Sequence, residues 1–276
     1  MPDTFSPGDA DQSLLTKRYG AADLPATGAI NEVIRTMFEH RSVRAYLPTA
    51  LPDGTIETLV AAAQSAATSS NMQYWSVVAV SDPATKDIMA SVASNQQHIR
   101  QCPVLLVFLA DLSRLNRVLT SAGKTMPTLD YQEAFTVSAI DAALAAQNAT
   151  LAAESLGLGT VYIGALRNDP ERVAAAISLP PHVMAVFGLC IGYPDPARLS
   201  DIKPRLPQGA VLFHERYAPA DEAAQIARYD GELSAFSKRQ GMDSDSWTGR
   251  VIQRLSGTNG REAMRAAMRR LGFELK

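Results

Sequence analysis

Residues 40–44, H-R-S-V-R, place an imidazole, two guanidiniums and a hydroxyl side by side. In extended chain alternate residues share a face, so His40, Ser42 and Arg44 would point the same way. A forked guanidinium with a hydroxyl and an imidazole complements the oxygens of a phosphate monoester. A second cationic pair lies in K-P-R at 203–205, where the proline fixes the backbone and sets Lys203 and Arg205 on one side. Taken singly, each segment is equally a solvated charge run or a surface turn. Most of the chain separates them, and only the fold can bring them together. A third group is neutral: A-A-T-S-S-N-M-Q at 66–73 and S-N-Q-Q-H at 94–98 cluster hydroxyls and amides. Such groups can read the polar edge of a ring, although ending helices and building turns is their commoner use.

Other chemistries lack their residues. There is no G-x-S-x-G turn for a hydrolase nucleophile and no G-x-x-x-x-G-K-[ST] phosphate loop. The glycines of G-L-G-T-V-Y-I-G at 157–164 precede a strand instead of linking a strand to a helix, so they make a poor dinucleotide fingerprint. His40, His98, His182 and His214 are far apart, and no histidine or carboxylate spacing suggests a metal. Cys102 and Cys190 lie inside apolar runs, where a thiol serves as a small core residue.

The elements that must position these groups follow from apolar periodicity. A short helix starts near Asn31, with Val33, Ile34, Met37 and Phe38 on one side. A second spans 56–67 with Thr55 as its cap, and a third follows Pro83. Strands are expected at 75–81, 103–111, 160–166 and 184–194, the second an unbroken apolar run of the kind covered on both faces. The segment 134–156 reads as a long buried helix stopped by Gly157, and 112–133 as a surface loop or broken helix. Asp169, Pro170 and Glu171 open another helix. Beyond Pro219, more polar helices are expected at about 221–239 and 250–269. Helices interleaved with about four core strands fit a mixed sheet with covered faces.

The 276 residues carry 26 basic and 28 acidic side chains, a net charge of −2. That balance argues against a dedicated nucleic-acid binder and against an electrostatic membrane anchor. No run reaches the ~20 apolar residues that span a bilayer. The first 30 residues have no secretory pattern and read as a flexible extension on a cytoplasmic protein.

In chain order, H-R-S-V-R, A-T-S-S-N-M-Q, A-A-Q-N-A-T-L-A-A-E-S-L-G-L-G-T-V-Y-I-G-A-L-R-N (145–168), L-P-P-H-V-M-A-V-F-G-L-C-I-G-Y-P (179–194) and K-P-R-L-P (203–207) resemble the FMN-dependent nitroreductase superfamily. The nearer likeness is to its oxygen-insensitive NADPH nitroreductase and flavin reductase P branch, and it runs from about Asn31 to about Trp247. The resemblance implies an α+β fold, a central mixed β-sheet flanked by helices, in an intertwined homodimer with FMN bound tightly at the interface. It divides the chain into an N-terminal extension (1–30), an FMN-binding core (31–218) and a helical C-terminal segment (219–276) that packs on the core and the partner subunit.

Residue by residue, it assigns His40, Arg41, Ser42, Arg44, Lys203 and Arg205 to the FMN phosphate. It assigns Thr68, Ser69 and Gln96 to the flavin, and Tyr162, Ile163, Gly164 and Ala165 to a strand end along the ring. The family often has a second glycine where Ala165 stands. Arg239 and Arg261 match residues toward NADPH or substrate, but Asp243 and Asp245 replace basic or neutral positions in the same loop and would repel a 2′-phosphate. The implied activity is two-electron, ping-pong transfer from NADPH or NADH to a small acceptor such as a nitroaromatic, a quinone or free flavin. The chemistry then rests on FMN, with no metal and no catalytic side chain. Dehalogenation, dedicated flavin reduction and non-catalytic flavin binding are the alternatives on the same fold.

Overall fold

The unbroken apolar run forms strand β2 (Val104–Asp111) in the computed structural model, and all eight of its residues are buried. The structure describes residues 8–242, 246–257 and 260–276. They fall into two units, one formed by described residues of Met1–Arg41 and Ser200–Asn259, the other by Ser42–Leu199 and Gly260–Lys276.

In the second unit, β1 (Trp75–Val80), β2, β3 (Gly159–Ile163) and β4 (Val183–Gly192) form one sheet in the order β1-β2-β4-β3. Every strand pair is antiparallel, with Val77 opposite Phe108, Val107 opposite Gly188 and Val161 opposite Cys190. The sheet expected to be mixed is thus antiparallel in its strands, and the one parallel pairing among the described residues is an isolated bridge, Ser42 to Thr160 of β3. One face carries Leu105, Val107, Val161 and Ile163, packed with Met89, Ala90 and Val173 of helices Pro83–Val92 and Pro170–Ala176. The other face carries Leu106 and Phe108, packed against Leu59 and Ala63 of the helix Thr55–Gln64 and Ala142, Ala145, Ala146 and Ala149 of the helix Gln132–Ser155. Alanines at these spacings give the long helix a smooth stripe that lies close on the strands. Each fully buried Leu, Val or Phe contributes about 1.5–3 kcal/mol relative to exposure. A third cluster joins Leu112 and Met184 to Met268 and Phe273 of the chain's last segment.

In chain order the α-helices are α1 (Asp9–Tyr19), α2 (Glu32–Glu39), α3 (Thr55–Gln64), α4 (Pro83–Val92), α5 (Gln97–Gln101), α6 (Ser113–Ser121), α7 (Gln132–Ser155), α8 (Pro170–Ala176), α9 (Glu222–Arg239), α10 (Trp247–Leu255) and α11 (Met264–Arg270). In the first unit, Tyr229, Leu233 and Phe236 of α9 form a small core with Leu206, Met242 and Trp247.

Local chemistry explains the agreements with the sequence and the departures from it. Asn31, Asp82 and Asp169 cap α2, α4 and α8 by accepting from the backbone N–H three residues on. Thr55 is not a cap: it is the first helical residue, and Gly54, at φ +79°, turns the chain into α3. The helix expected over 250–269 is two, α10 and α11, with the described break around Gly260 at φ +77°. The region 112–133 contains α6. Within the expected flexible extension, α1 is a regular helix with Leu15 and Arg18 buried.

Candidate functional site

The H-R-S-V-R segment leaves α2 and becomes extended. Val43 donates its N–H to Thr160 O at 2.8 Å and buries its side chain in the sheet core. A Cβ on Gly159 would stand 2.6 Å from Val43 Cγ2, so the glycine is what lets this segment lie so close to β3. Alternation then does what the pattern implied: Val43 and Ala45 are buried, Ser42 is half-buried and Arg44 is exposed.

Within the first unit, His40 and Arg41 are tied to K-P-R through Arg18. Its guanidinium donates to Phe38 O (2.7 Å), His40 O (2.9 Å) and Lys203 O (2.7 Å), while Arg205 N donates to Arg18 O (2.7 Å). Pro204 is buried and its carbonyl accepts from the Tyr229 hydroxyl at 3.1 Å. Lys203 is half-buried and Arg205 exposed on either side of it. Two cationic segments more than half the chain apart are thus joined by one buried arginine.

Within the second unit, the amide- and hydroxyl-rich stretches make turns. Ser70, Asn71 and Gln73 have φ of 49°, 56° and 55°, and Ser94 and Asn95 have 58° and 59°. Residues other than glycine rarely take this region, so both turns are held from outside. The carboxylate of Asp141, 1% exposed on α7, accepts from Ser69 N (3.0 Å) and Tyr74 N (3.1 Å) and fixes the turn that carries Thr68 and Ser69. Asn168 Nδ2 donates to Val92 O at 3.1 Å, bracing the turn that leads to Gln96. Arg261 donates to Asn168 Oδ1 (3.0 and 3.1 Å) and to Gly164 O (3.4 Å). Arg261, the end of β3 and the 94–96 turn are therefore one connected group.

Tyr162 stacks edge-on against Phe187, centroids 5.2 Å apart, and its hydroxyl shares a hydrogen bond with Thr150 of α7 at 3.0 Å. Ile163 is buried, and Gly164 and Ala165 are half-buried. Thr68 and Ser69 do not share that anchor: Asp141 and Thr150 lie about 13 Å apart along α7. Arg239 is exposed in the last turn of α9. Asp243 and Asp245, expected to weaken its attraction for phosphate, lie outside the described residues.

Sequence reasoning passed over three residues. Arg18 lies in the expected extension, and Asp141 lies inside the expected buried helix 134–156. His98 is 9% exposed, and its Nε2 has no hydrogen-bond partner among the described residues. Burial first, and the charge of Arg44 second, push His98 down to about 4, so it is neutral at pH 7. Its only signal in the sequence was its place at the end of S-N-Q-Q-H. Among the described residues there is no cluster able to hold a metal ion, and no helix is long and apolar enough to cross a membrane.

A four-stranded antiparallel sheet between alanine-rich and mixed helices, bordered by the extended segment that carries exposed Arg44, defines an α+β protein. Comparison with known proteins makes the class specific. The model of the family described as "Nitroreductase family" matches residues 37–193, and that of its C-terminal domain matches 203–276. The chain is 38% identical over 228 residues to an FMN reductase (NADPH) of Bacillus subtilis, covering 81% of this chain and 91% of the relative. It is 35% identical over 232 residues to an oxygen-insensitive NADPH nitroreductase of Salmonella typhimurium, covering 83% and 93%. The solved structure of the hypothetical oxidoreductase YcnD from Bacillus subtilis superposes with a TM-score of 0.85 at 35% identity, covering 90% of this chain and all of that one. The chain belongs to the nitroreductase family.

Proposed function

We propose that this protein is an FMN-dependent oxidoreductase that takes electrons from NADPH or NADH and delivers them in pairs to a small acceptor, a nitroaromatic, a quinone or free flavin. The observation that supports the reading is the joining of 38–41 to 203–205 through Arg18, which ties two charge runs far apart in the chain to one buried side chain. FMN is a flat ring system ending in a phosphate, and the residues present fit both ends. His40, Arg41, Ser42, Arg44, Lys203 and Arg205 supply imidazole, hydroxyl, ammonium and guanidinium donors of the kind that bind phosphate oxygens. Gly164 presents no side chain at the end of β3.

Bound FMN supplies the hydride chemistry. The chain's own residues bind and orient. The six cationic and hydroxyl groups hold the phosphate. With FMN bound, Thr68, Ser69 and Gln96 would meet the polar edge of its ring, and Tyr162, Ile163, Gly164 and Ala165 would line it. Arg239 and Arg261 would be the cations that meet the nicotinamide donor and the acceptor. These donors would favour negative charge on a bound flavin, and no side-chain nucleophile is needed.

The reading includes a homodimer, to which the helical segment 219–276 contributes. Apolar side chains left exposed support it: Val33 and Met37 on α2, Ile140 and Leu144 on α7, and Val211 and Leu212 ahead of α9. It also includes a cytoplasmic location, where nicotinamide dinucleotides are available. The test is direct. Purified protein is expected to be yellow, to release FMN on denaturation and to oxidise NADPH when a quinone is added. Colourless protein that takes up no added FMN refutes the reading.

A further inference from the structure

We propose that Arg18, carried on α1, is a positioning residue for the phosphate end of FMN, and that the N-terminal segment around it is the strap that holds the cradle in shape. The inference rests on the FMN reading above. Helix α1 lies outside both matched ranges, which begin at residue 37 and at residue 203.

This helix has little reason to exist for itself. It is short and polar, and Leu15 is its only buried apolar side chain. A helix of that length is marginal in isolation and needs tertiary contacts. Its contacts are directed ones. Asp11 accepts from Arg35 of α2 at 2.8 and 3.2 Å. Past the helix, Gly20 turns at φ +75°, where a Cβ would stand 2.6 Å from Glu232 Oε1. Asp23 then receives a two-pronged bond from Arg228 of α9, at 2.9 and 3.0 Å. The strap therefore runs from α2 to α9.

Between those two ties sits Arg18, 5% exposed, with its fork on carbonyls of both cationic segments. Neither segment has regular structure of its own at this point: residues 40–41 follow the end of α2, and 203–207 are irregular. Cations on irregular chain bind a phosphate well only when their spacing is set in advance, because ordering them on binding subtracts from affinity. Arg18 sets that spacing through the backbone. A planar fork reaching carbonyls of separate segments is a task for arginine, and a lysine ammonium cannot reproduce the geometry.

The experiment uses the full-length protein and measures dissociation constants for FMN and for riboflavin, which lacks the phosphate, together with thermal midpoints. In R18M, FMN binding is expected to weaken about tenfold while riboflavin binding changes less than about twofold. R18K is expected to restore little of the loss. A D11A/D23A double variant unties the strap without touching Arg18. It is expected to lower the FMN-to-riboflavin preference in the same direction, and it decides the question if R18M does not fold. An unchanged preference in folded R18M, or in the double variant, overturns the proposal, as does an equal loss for both flavins. Wild-type protein that fails to prefer FMN over riboflavin refutes instead the cofactor reading beneath it.

Discussion

Arg44 is exposed because its neighbours Val43 and Ala45 are not, and this alternation was legible in five letters of sequence. What the letters could not give was the anchor, since the bond from Val43 to Thr160 joins positions far apart in the chain. Removing either exposed guanidinium tests the phosphate assignment. Arg44→Ala or Arg205→Ala is expected to cost ~1.5–3 kcal/mol of FMN binding, about ten- to a hundredfold, and to leave riboflavin nearly unaffected. A flavin titration in which both variants bind FMN like wild type refutes it. His98 gives a second test. The fold keeps it neutral down to about pH 4, whereas its ordinary value is 6.5. Between those values the unfolded chain binds more protons, so this contribution to stability is full above pH 6.5 and is lost as pH falls toward 4. Chemical denaturation of His98→Gln at several pH values is expected to show a shallower acid slope than wild type. Equal slopes would mean that His98 titrates normally.

Among the elements, the four strands and the long helix α7 were readable because their apolar runs are continuous or closely periodic. Boundaries were less readable where backbone geometry decides them, as at Gly54, whose left-handed turn displaces Thr55 from the capping position. The polar turns at 70–73 and 94–95 could be seen as turns, but not that Asp141 and Asn168 hold them. Helix α1 was hidden for a different reason: its composition is that of a tail, and the partners of its buried Arg18 are backbone carbonyls, which leave no mark in a sequence. Val43 lies close on Gly159, where a Cβ would stand 2.6 Å from its Cγ2. Gly159→Ala forces a β-branched side chain out of place and is expected to cost ~1–3 kcal/mol of stability. Because Ser42 and Arg44 flank Val43, FMN binding is expected to weaken with it. A melting curve and flavin titration both matching wild type would show that the segment yields freely.

At the scale of the whole molecule, apolar side chains on α2 and α7 remain exposed, and Arg261, Met264 and Met268 border a cleft of about 860 Å³ with Phe135 and Ile140. The proposed homodimer would cover such surfaces. Light scattering is expected to give twice 29.6 kDa, unchanged on dilution, and a fully active monomer would contradict it. The way the two units divide the chain also has a consequence for biosynthesis. One unit needs residues on both sides of 42–199, and the other closes with 260–276. Phe273 is 1% exposed against Leu112 and Met184, and the chain's last residue exchanges backbone bonds with Asp130 and Gln132. A ribosome adding about 5–20 residues each second therefore releases strands and helices long before either unit can close. The order of emergence therefore makes both units wait on residues 200–276, and the cluster of Leu112 and Met184 waits on Met268 and Phe273.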